Sequence, residues 1–336
     1  RDNNLRVNGI ADERTLAAID EAINNRWVIN HETYNVTLDQ ALNIQMNQLQ
    51  QTDMYRNSAA YVHKNYVNAS GSTGTTTANV NVRSSASNTS HIYGQISSGT
   101  TVTIVGSTGD WYRINYSVWR NPTRDDVRNY LNPENNDIFQ HLDLTSSAGV
   151  TASSLNSTVL RGRGILADKG SAFITAGRQH SVNEIYLISH ALLETGNGSS
   201  ALARGIEVGL NSSGNPVVVT ASNRGSLTNI RTTYNMYGIG AVDGNAHNGG
   251  AIRAYNEGWF TPEQAIIGGA RFIGNSYIHN QYNQNTLYKM RWNPANPGYP
   301  QYATDIAWAV KQVPNIKRLY DMLDNPVFKF NIAQYR

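Results

Sequence analysis

The period of the hydrophobic residues changes along this chain, and this change restricts the folds open to it more than any other feature. Over residues 80–114 apolar and polar residues alternate, which is typical of half-buried β-strands. From about residue 119 to the end, apolar residues recur mainly at helical spacing. Strands and helices thus occupy separate stretches, which predicts an α+β protein with a small sheet domain and a mainly helical domain.

The alternating stretch is divided by turns into short strands. The turns Ser97-Ser98-Gly99 and Thr108-Gly109-Asp110 separate its apolar runs, and several strands within about 40 residues predict a small β-barrel. The words Asn81-Val82-Arg83-Ser84 and Gly109-Asp110-Trp111-Tyr112-Arg113-Ile114 resemble those of bacterial SH3 domains. Such domains commonly bind wall peptides, so the resemblance implies a wall-binding module. A spacer or packing module is the alternative.

The region before these strands predicts helices followed by a linker. Two apolar stripes recur at helical spacing within residues 1–60: Leu16, Ile19, Ile23 and Trp27, then Leu38, Leu42, Met46 and Leu49. Residues 68–79 are small and polar without periodicity, which favours a linker. We therefore expect a helical segment and linker over residues 1–75, an SH3-like β-barrel over 76–118 and a mainly helical domain over 119–336.

Composition narrows the class of partner. Only 15% of the residues are charged, against about 25% in an average soluble protein, and Tyr (19) far outnumbers Phe (6). Such a surface recognises ligands through amides, hydroxyls and ring faces, which suits carbohydrate better than nucleic acid. The net charge of +3 is too small for a nucleic-acid binder. The absence of Cys excludes a disulfide framework, a thiolate metal site and a Cys nucleophile.

The sequence also bears on membranes and secretion. It contains no run of about 18 apolar residues, so we expect no membrane-spanning helix. It begins at Arg1 without a signal peptide, which is typical of an excised fragment. Secretion is therefore to be inferred from function.

Helical spacing recurs in several segments after residue 119: 123–131, 153–160, 168–180, 182–193, 247–257, 262–278 and 303–323. Between them, the runs Ile206-Glu207-Val208-Gly209-Leu210 and Val217-Val218-Val219 flank a polar turn, which predicts a β-hairpin. A helical body with one small β lobe is the lysozyme-like arrangement.

The segment 181–198 places a carboxylate at the end of a helix. Ser181 and Glu184 form a capping-box pattern, and apolar residues then cover almost every face, which predicts a buried helix. Glu194 stands at its end, before the turn Gly196-Asn197-Gly198. The helix dipole and apolar surroundings both raise the pKa of a carboxyl there. A glycosidase needs such a protonated acid, whereas an exposed Glu at a frayed helix end is the alternative.

The stretch Ser189-His190-Ala191-Leu192-Leu193-Glu194-Thr195-Gly196-Asn197-Gly198 resembles the signature of bacterial endo-β-N-acetylglucosaminidases, glycoside hydrolase family 73, found in autolysins. The similarity covers about residues 120–336 and continues through 234–241, 265–270, 272–275, 285–294 and 301–305. It implies that Glu194 is the catalytic acid and that the substrate is the glycan strand of peptidoglycan, cleaved at the β-1,4 bond after N-acetylglucosamine.

The resemblance also predicts where the enzyme acts and which cofactors and partners it needs. We expect a secreted, wall-associated protein that needs no metal, no cofactor, no membrane and no obligate partner subunit. Two alternatives remain. A lytic transglycosylase uses the same fold and one acid but closes a 1,6-anhydro ring, and a wall-binding protein could carry an inactive catalytic domain.

Further residues are candidates for substrate contact. His190, one helical turn before Glu194, is expected to be packed or close to substrate, because no His-Glu-x-x-His pattern indicates a metal. Tyr234, Asn235 and Tyr237 lie in a glycine-punctuated segment where rings can stack on sugars. A turn packed by tyrosine is the alternative.

Two more candidates lie nearer the C-terminus. By the resemblance, Tyr277 at the end of an apolar helix lines the sugar groove and orients the N-acetyl group or a water, with core packing as the alternative. Asn293 belongs to the loop Arg291-Trp292-Asn293-Pro294, for which ligand binding and loop packing are both open.

A second catalytic group is expected because glycosidases usually pair two carboxylates. Glu207 on the predicted hairpin is the first candidate, since the β lobe of lysozyme-like folds faces the acid. Asp243, after the glycine-rich segment, is the second. Alternatively, the N-acetyl group of the substrate is the nucleophile, and Tyr277 orients it.

Overall fold

The computed structural model describes Thr15 and the ranges 26–241 and 245–336. The helices are α1 (Leu38–Met46), α2 (Arg124–Leu131), α3 (Ala152–Ser157), α4 (Gly170–His180), α5 (Glu184–Glu194), α6 (Ala201–Arg204), α7 (Ala246–Glu257), α8 (Pro262–Ile273), α9 (Leu287–Trp292) and α10 (Trp308–Tyr320). The strands are β1 (Trp27–Tyr34), β2 (Ala60–His63), β3 (Val67–Ser70), β4 (Thr73–Thr76), β5 (Val80–Arg83), β6 (Ile92–Ile96), β7 (Thr101–Thr108), β8 (Trp111–Ile114), β9 (Ile206–Leu210), β10 (Pro216–Val218), β11 (Thr228–Thr233) and β12 (Phe328–Tyr335). The expected mixture of helix and sheet is confirmed.

The described residues group into two units. The helical unit holds those up to Glu32 together with Asp137–Met290 and Gln312–Ala333. The sheet unit holds Thr33–Asn136, Arg291–Lys311 and Gln334–Arg336. Within the described ranges, every helix is too short or too polar to cross a lipid bilayer.

The sheet unit contains a seven-stranded antiparallel sheet in the order β3-β4-β7-β8-β2-β5-β6. Its strands follow the alternation read from the sequence: in β5, Val80 and Val82 are buried while the side chains between and after them are half-buried. These valines join Val62, Tyr93 and Ile114 in one hydrophobic core. Period-two patterning is therefore sufficient to place the strands from residue 80 onward.

The linker predicted over residues 68–79 is wrong, because most of this stretch forms strands β3 and β4. The two strands pair as a hairpin, and Gly71 in its turn adopts a φ of +62°. β4 continues the sheet through backbone pairing with β7, Gly74 opposite Val102. The sequence carries no apolar alternation here because Val67 and Thr76 are the only side chains that these two strands bury, and backbone pairing supplies the remaining contacts.

The expected helical character of residues 1–60 holds only in part. α1 matches the second stripe, and Thr37 closes a capping box at its start. Leu16, Ile19 and Ile23 lie outside the described residues. Trp27 begins strand β1, which pairs with β12 near the C-terminus. A partner strand about 300 residues away leaves no local trace, so neither strand was predicted.

Each of the segments predicted as helical after residue 119 contains a helix. One of them is α5, which is largely buried: its Ile185, Leu187 and Ile188 are fully buried. Its start differs from the predicted capping box. Asn183 is the N-cap, and its side chain accepts hydrogen bonds from the backbone N–H groups of residues 185 and 186.

Ser181, the predicted cap, instead ends α4 with a left-handed φ of 49°. Glu184 turns away from the cap, and its carboxylate accepts hydrogen bonds from the Ser147 hydroxyl at 2.8 Å and the Ala148 N–H at 3.1 Å. The sequence pattern identified the right turn of chain but the wrong capping residue, because Glu184 has a nonlocal partner.

The predicted hairpin is present and gains a third strand. β10 and β11 pair with β9 on its two edges, antiparallel in both cases. The sheet buries Ile206 and Val208 with Ala251 of α7. This small sheet carries Glu207 on its central strand.

Candidate active site

Glu194 is the last residue of α5, and the next four residues turn the chain away from it. The Thr195 hydroxyl donates to the carbonyl oxygen of Ala191 at 2.6 Å and accepts the N–H of Gly198 at 2.7 Å. Gly196, Asn197 and Gly198 all adopt positive φ. This tight turn ends the helix one residue after Glu194 and leaves the carboxyl at the negative end of the helix dipole.

The carboxyl of Glu194 is partly enclosed. Its side chain is 40% exposed, and burial raises its pKa. Gly238, with a φ of +64°, lies directly against it: a Cβ at this position would stand 2.9 Å from Oε2. Glycine therefore allows the backbone to approach the carboxyl more closely than any other residue would.

His190 lies one turn before Glu194, with its Nε2 3.8 Å from Oε1 of the acid. Its ring packs edge-on against Tyr237, with ring centroids 5.6 Å apart. Burial lowers the pKa of His190 to about 4, so the imidazole is neutral at neutral pH. Glu194 consequently has no imidazolium beside it that would favour its charged form.

The residues of segment 234–241 that were predicted to contact sugar differ in how far they are buried. Tyr234 is half-buried, whereas Tyr237 is only 4% exposed and rests on Gly269 of α8. Asn235 is buried, and its amide bonds the loop itself: Oδ1 accepts the N–H groups of residues 237 and 239, and Nδ2 donates to the carbonyl oxygens of Ile239 and Gly250. Asn235 thus shapes the loop that presents Gly238.

Glu207 lies on β9 with its side chain 42% exposed and paired with Arg224. Arg224 was not predicted, since a partner 17 residues away, beyond strand β10, gives no periodic signal. Asp243 lies outside the described residues.

Tyr277 is half-buried in a π-helical turn, Gly274–Ile278, that follows α8. Asn293 is fully buried in the sheet unit, where its amide donates to the carbonyl of Tyr299 and accepts the N–H of Asn296. The structure therefore brings together Glu194, His190, Tyr237 and Gly238, while Asn293 is engaged in its own loop. Among the residues described, no group of three His, Asp or Glu side chains could hold a metal ion.

Comparison with known proteins places these features in a family. Residues 170–321 match the family model described as mannosyl-glycoprotein endo-beta-N-acetylglucosaminidase, and residues 78–123 match the bacterial SH3 domain. The chain is 45% identical over 322 residues to the beta-N-acetylglucosaminidase of Bacillus subtilis (strain 168), covering 94% of this chain and 33% of that protein. It is 44% identical over 226 residues to a bifunctional autolysin of Staphylococcus epidermidis, covering 67% of this chain and 16% of that protein.

A solved structure of S. aureus glucosaminidase B matches 93% of this chain and 95% of its own chain, with 29% identity and a TM-score of 0.60. The chain thus spans a third or less of the length of the curated relatives named above. The family resemblance read from the sequence is confirmed on both segments. The chain belongs to the glucosaminidase family, glycoside hydrolase family 73, and also contains a bacterial SH3 domain.

Proposed function

We propose that this chain is a secreted, wall-associated peptidoglycan hydrolase of the autolysin type, acting in wall remodelling or the separation of daughter cells. It would cleave the β-1,4 bond after N-acetylglucosamine, with Glu194 as the general acid. One observation carries this proposal: the Glu194 side chain is 40% exposed, burial raises its pKa, and among the described residues no Lys or Arg forms an ion pair with it. A glycosidase acid must hold its proton until it meets the leaving oxygen.

In this mechanism Glu194 donates its proton to the glycosidic oxygen as the bond to the sugar carbon breaks. The positive charge that develops on the sugar ring then needs a nucleophile or a stabilising carboxylate. Glu207 remains our first candidate, although Arg224 occupies its carboxylate, so substrate has to displace or share that ion pair. Asp243 and the N-acetyl group of the substrate, oriented by Tyr277, remain the alternatives.

We further propose that substrate contacts come from Tyr234 and Tyr277, because both side chains are half-buried rather than fully buried. The buried Tyr237 and Asn235 would act indirectly, by building the loop that presents Gly238, whereas Asn293 would hold its own loop in the sheet unit. A lysozyme-like fold with the β9–β11 sheet as its β lobe fits this arrangement. The seven-stranded sheet β2–β8 overlaps the segment that matches the bacterial SH3 domain and is our candidate wall-binding domain.

The test of the reaction is analysis of digested peptidoglycan by reduction and mass spectrometry. Reduced N-acetylglucosamine ends are expected from the wild-type chain and should be absent with E194Q. Anhydro-muramic ends would identify a lytic transglycosylase instead. If sugar ends are not released at any pH but the chain sediments with walls, it is a binding protein.

The second group is identified by comparing E207Q, D243N and Y277F on one defined glycan. A fall of about 10² or more in kcat for E207Q alone supports Glu207 as base or stabiliser. Activity close to wild type in E207Q, with a collapse in D243N or Y277F, would transfer the role to that residue or to the N-acetyl group.

Wall peptides are proposed as ligands of the sheet unit. A groove of about 610 Å³ lies between the end of α1 and the β5–β6 connection, and its lining includes Arg83 and amides but no carboxylate. This chemistry suits the carboxylates of a stem peptide. N88D should weaken sedimentation with purified walls because Asn88 lines the groove, whereas N115D adds the same charge at an exposed site outside it. Equal effects of the two variants would exclude the groove.

A further inference from the structure

The two titratable side chains at the end of α5 lie close together, and among the described residues no other charged side chain forms an ion pair with either of them. Residues four apart on a helix share a face, and here they are His190 and Glu194. The ring of Tyr186, one turn earlier, lies 6.0 Å from that of His190, and Tyr237 approaches from the facing loop. Both tyrosines are buried and uncharged. Among the described residues, none but Glu194 forms an ion pair with His190.

Packing fixes the imidazole but leaves the carboxyl able to move. The His190 side chain is 16% exposed, enclosed by the two tyrosine rings, whereas that of Glu194 is 40% exposed. The separation of 3.8 Å between Nε2 and Oε1 is too long for a hydrogen bond. Rotation of the freer Glu194 side chain closes this gap, and such bonds are often long in the absence of substrate.

Resting on the function proposed above, we propose that His190 is a positioning residue for the acid: its neutral Nε2 accepts a hydrogen bond from the protonated carboxyl of Glu194 and keeps the proton there between turnovers. In the reaction the proton leaves Glu194 for the glycosidic oxygen, and the bond to Nε2 breaks. The acid regains a proton from the attacking water in a retaining reaction, or from solvent in an inverting one where the second carboxylate takes the proton of that water, and the bond to Nε2 forms again. His190 gains and loses no proton.

The order in which the two groups titrate agrees with this arrangement. In water an imidazole outcompetes a carboxyl for a proton, since their ordinary pKa values are about 6.5 and 4.3. Here burial lowers the pKa of His190 to about 4 and raises that of Glu194. The carboxyl therefore holds the proton where an exposed pair would form imidazolium and carboxylate.

A direct test is the tautomer of His190, measured by ¹⁵N NMR on the intact chain labelled at histidine. The signal is assigned by its loss in H190Q. We expect a neutral ring at pH 5–7 with its proton on Nδ1 and a bare Nε2. A protonated Nε2, in the imidazolium or in the other neutral tautomer, would overturn the proposal. This measurement needs no substrate, so it decides the question even if the wild-type chain releases no sugar ends.

The pH dependence of kcat/KM provides the second readout. H190F removes the acceptor and should move the alkaline limb down by about one pH unit, the effect of losing one neutral hydrogen bond. H190Q keeps an acceptor oxygen and should leave the limb within a few tenths of wild type. H279Q, at an exposed histidine of the same unit, is the control. A limb that stays in place in H190F, with activity reduced equally at every pH, would show that His190 only packs.

Discussion

Replacing Gly238 with alanine tests whether the backbone of the 234–241 segment sets the position of the acid. Gly238 adopts a φ of +64°, and an added Cβ would stand 2.9 Å from Oε2 of Glu194. Ordinary contact begins at 3.4 Å, so the carboxyl has to retreat by about 0.5 Å. The change thus displaces the reacting group without removing it.

The effect of G238A on rate follows from that displacement. Misplacing a reacting group by about 1 Å costs about 10² in rate, so about 0.5 Å should cost about tenfold in kcat/KM. A non-glycine residue in the left-handed region also costs about 1–2 kcal/mol in the free energy of unfolding. G214A isolates this second cost, because Gly214 has a φ of +77° and nothing within 4 Å of an added Cβ.

The assay measures release of reducing ends from purified peptidoglycan and urea unfolding for both variants. We expect similar losses of stability, with the loss of activity confined to G238A. Wild-type kcat/KM in G238A would show that the close approach at Gly238 does not govern the acid. A tenfold loss in G214A as well would attribute the effect to general destabilisation.

Three further changes probe polar side chains of the helical unit. E194Q should lower the rate of hydrolysis by about 10² or more. It should be no less stable than wild type at pH 7, because burial disfavours the charged carboxyl that E194Q removes. An active variant would exclude Glu194 as the acid. His190 contributes stability above pH 6.5, its ordinary pKa, and this stability is lost as the pH falls through its folded pKa of about 4. Between pH 7 and pH 4, the free energy of urea unfolding should therefore fall by about 3 kcal/mol in wild type, and H190Q should lack this part of the loss. Equal losses in both proteins would show that His190 is not the titrating group. E184A removes the acceptor of the Ser147 hydroxyl and the Ala148 N–H and should cost about 1–3 kcal/mol in unfolding; unchanged stability would mean that water replaces the carboxylate.

Local sequence patterns predicted the elements whose stabilising partners are close in the chain. α5 and the strands β5–β8 follow directly from apolar periodicity and from turns in the same stretch. The prediction failed where the partner is remote. β1 pairs with a strand at the other end of the chain, and β4 depends on backbone bonds to β7. Periodicity reports which faces are buried, not which strand supplies the hydrogen bonds.

The candidate site shows the same division. The position of Glu194 at the end of a largely buried helix could be predicted from the sequence, whereas the roles of the two asparagines could not. An Asn in a glycine-rich loop has an amide that fits either a sugar or the backbone of its own loop. In both Asn235 and Asn293 the side-chain oxygen accepts a backbone N–H and the side-chain nitrogen donates to a backbone carbonyl. The sequence offers no signal that separates these two uses.

The pairing of His190 with Glu194 shows why spacing alone does not determine chemistry. On an exposed helix the same four-residue spacing would produce an ion pair near pH 6, because the imidazole would take the proton. Here Tyr237, seated on Gly269 of a different helix, covers the imidazole and makes its charged form unfavourable. The proposed hydrogen bond from Glu194 to His190 depends on a loop more than 40 residues away, because that loop buries the imidazole and lowers its pKa. The pKa of His190 is therefore set by the tertiary packing around α5, and changes at Gly269 that lift Tyr237 away should raise that pKa toward its ordinary value.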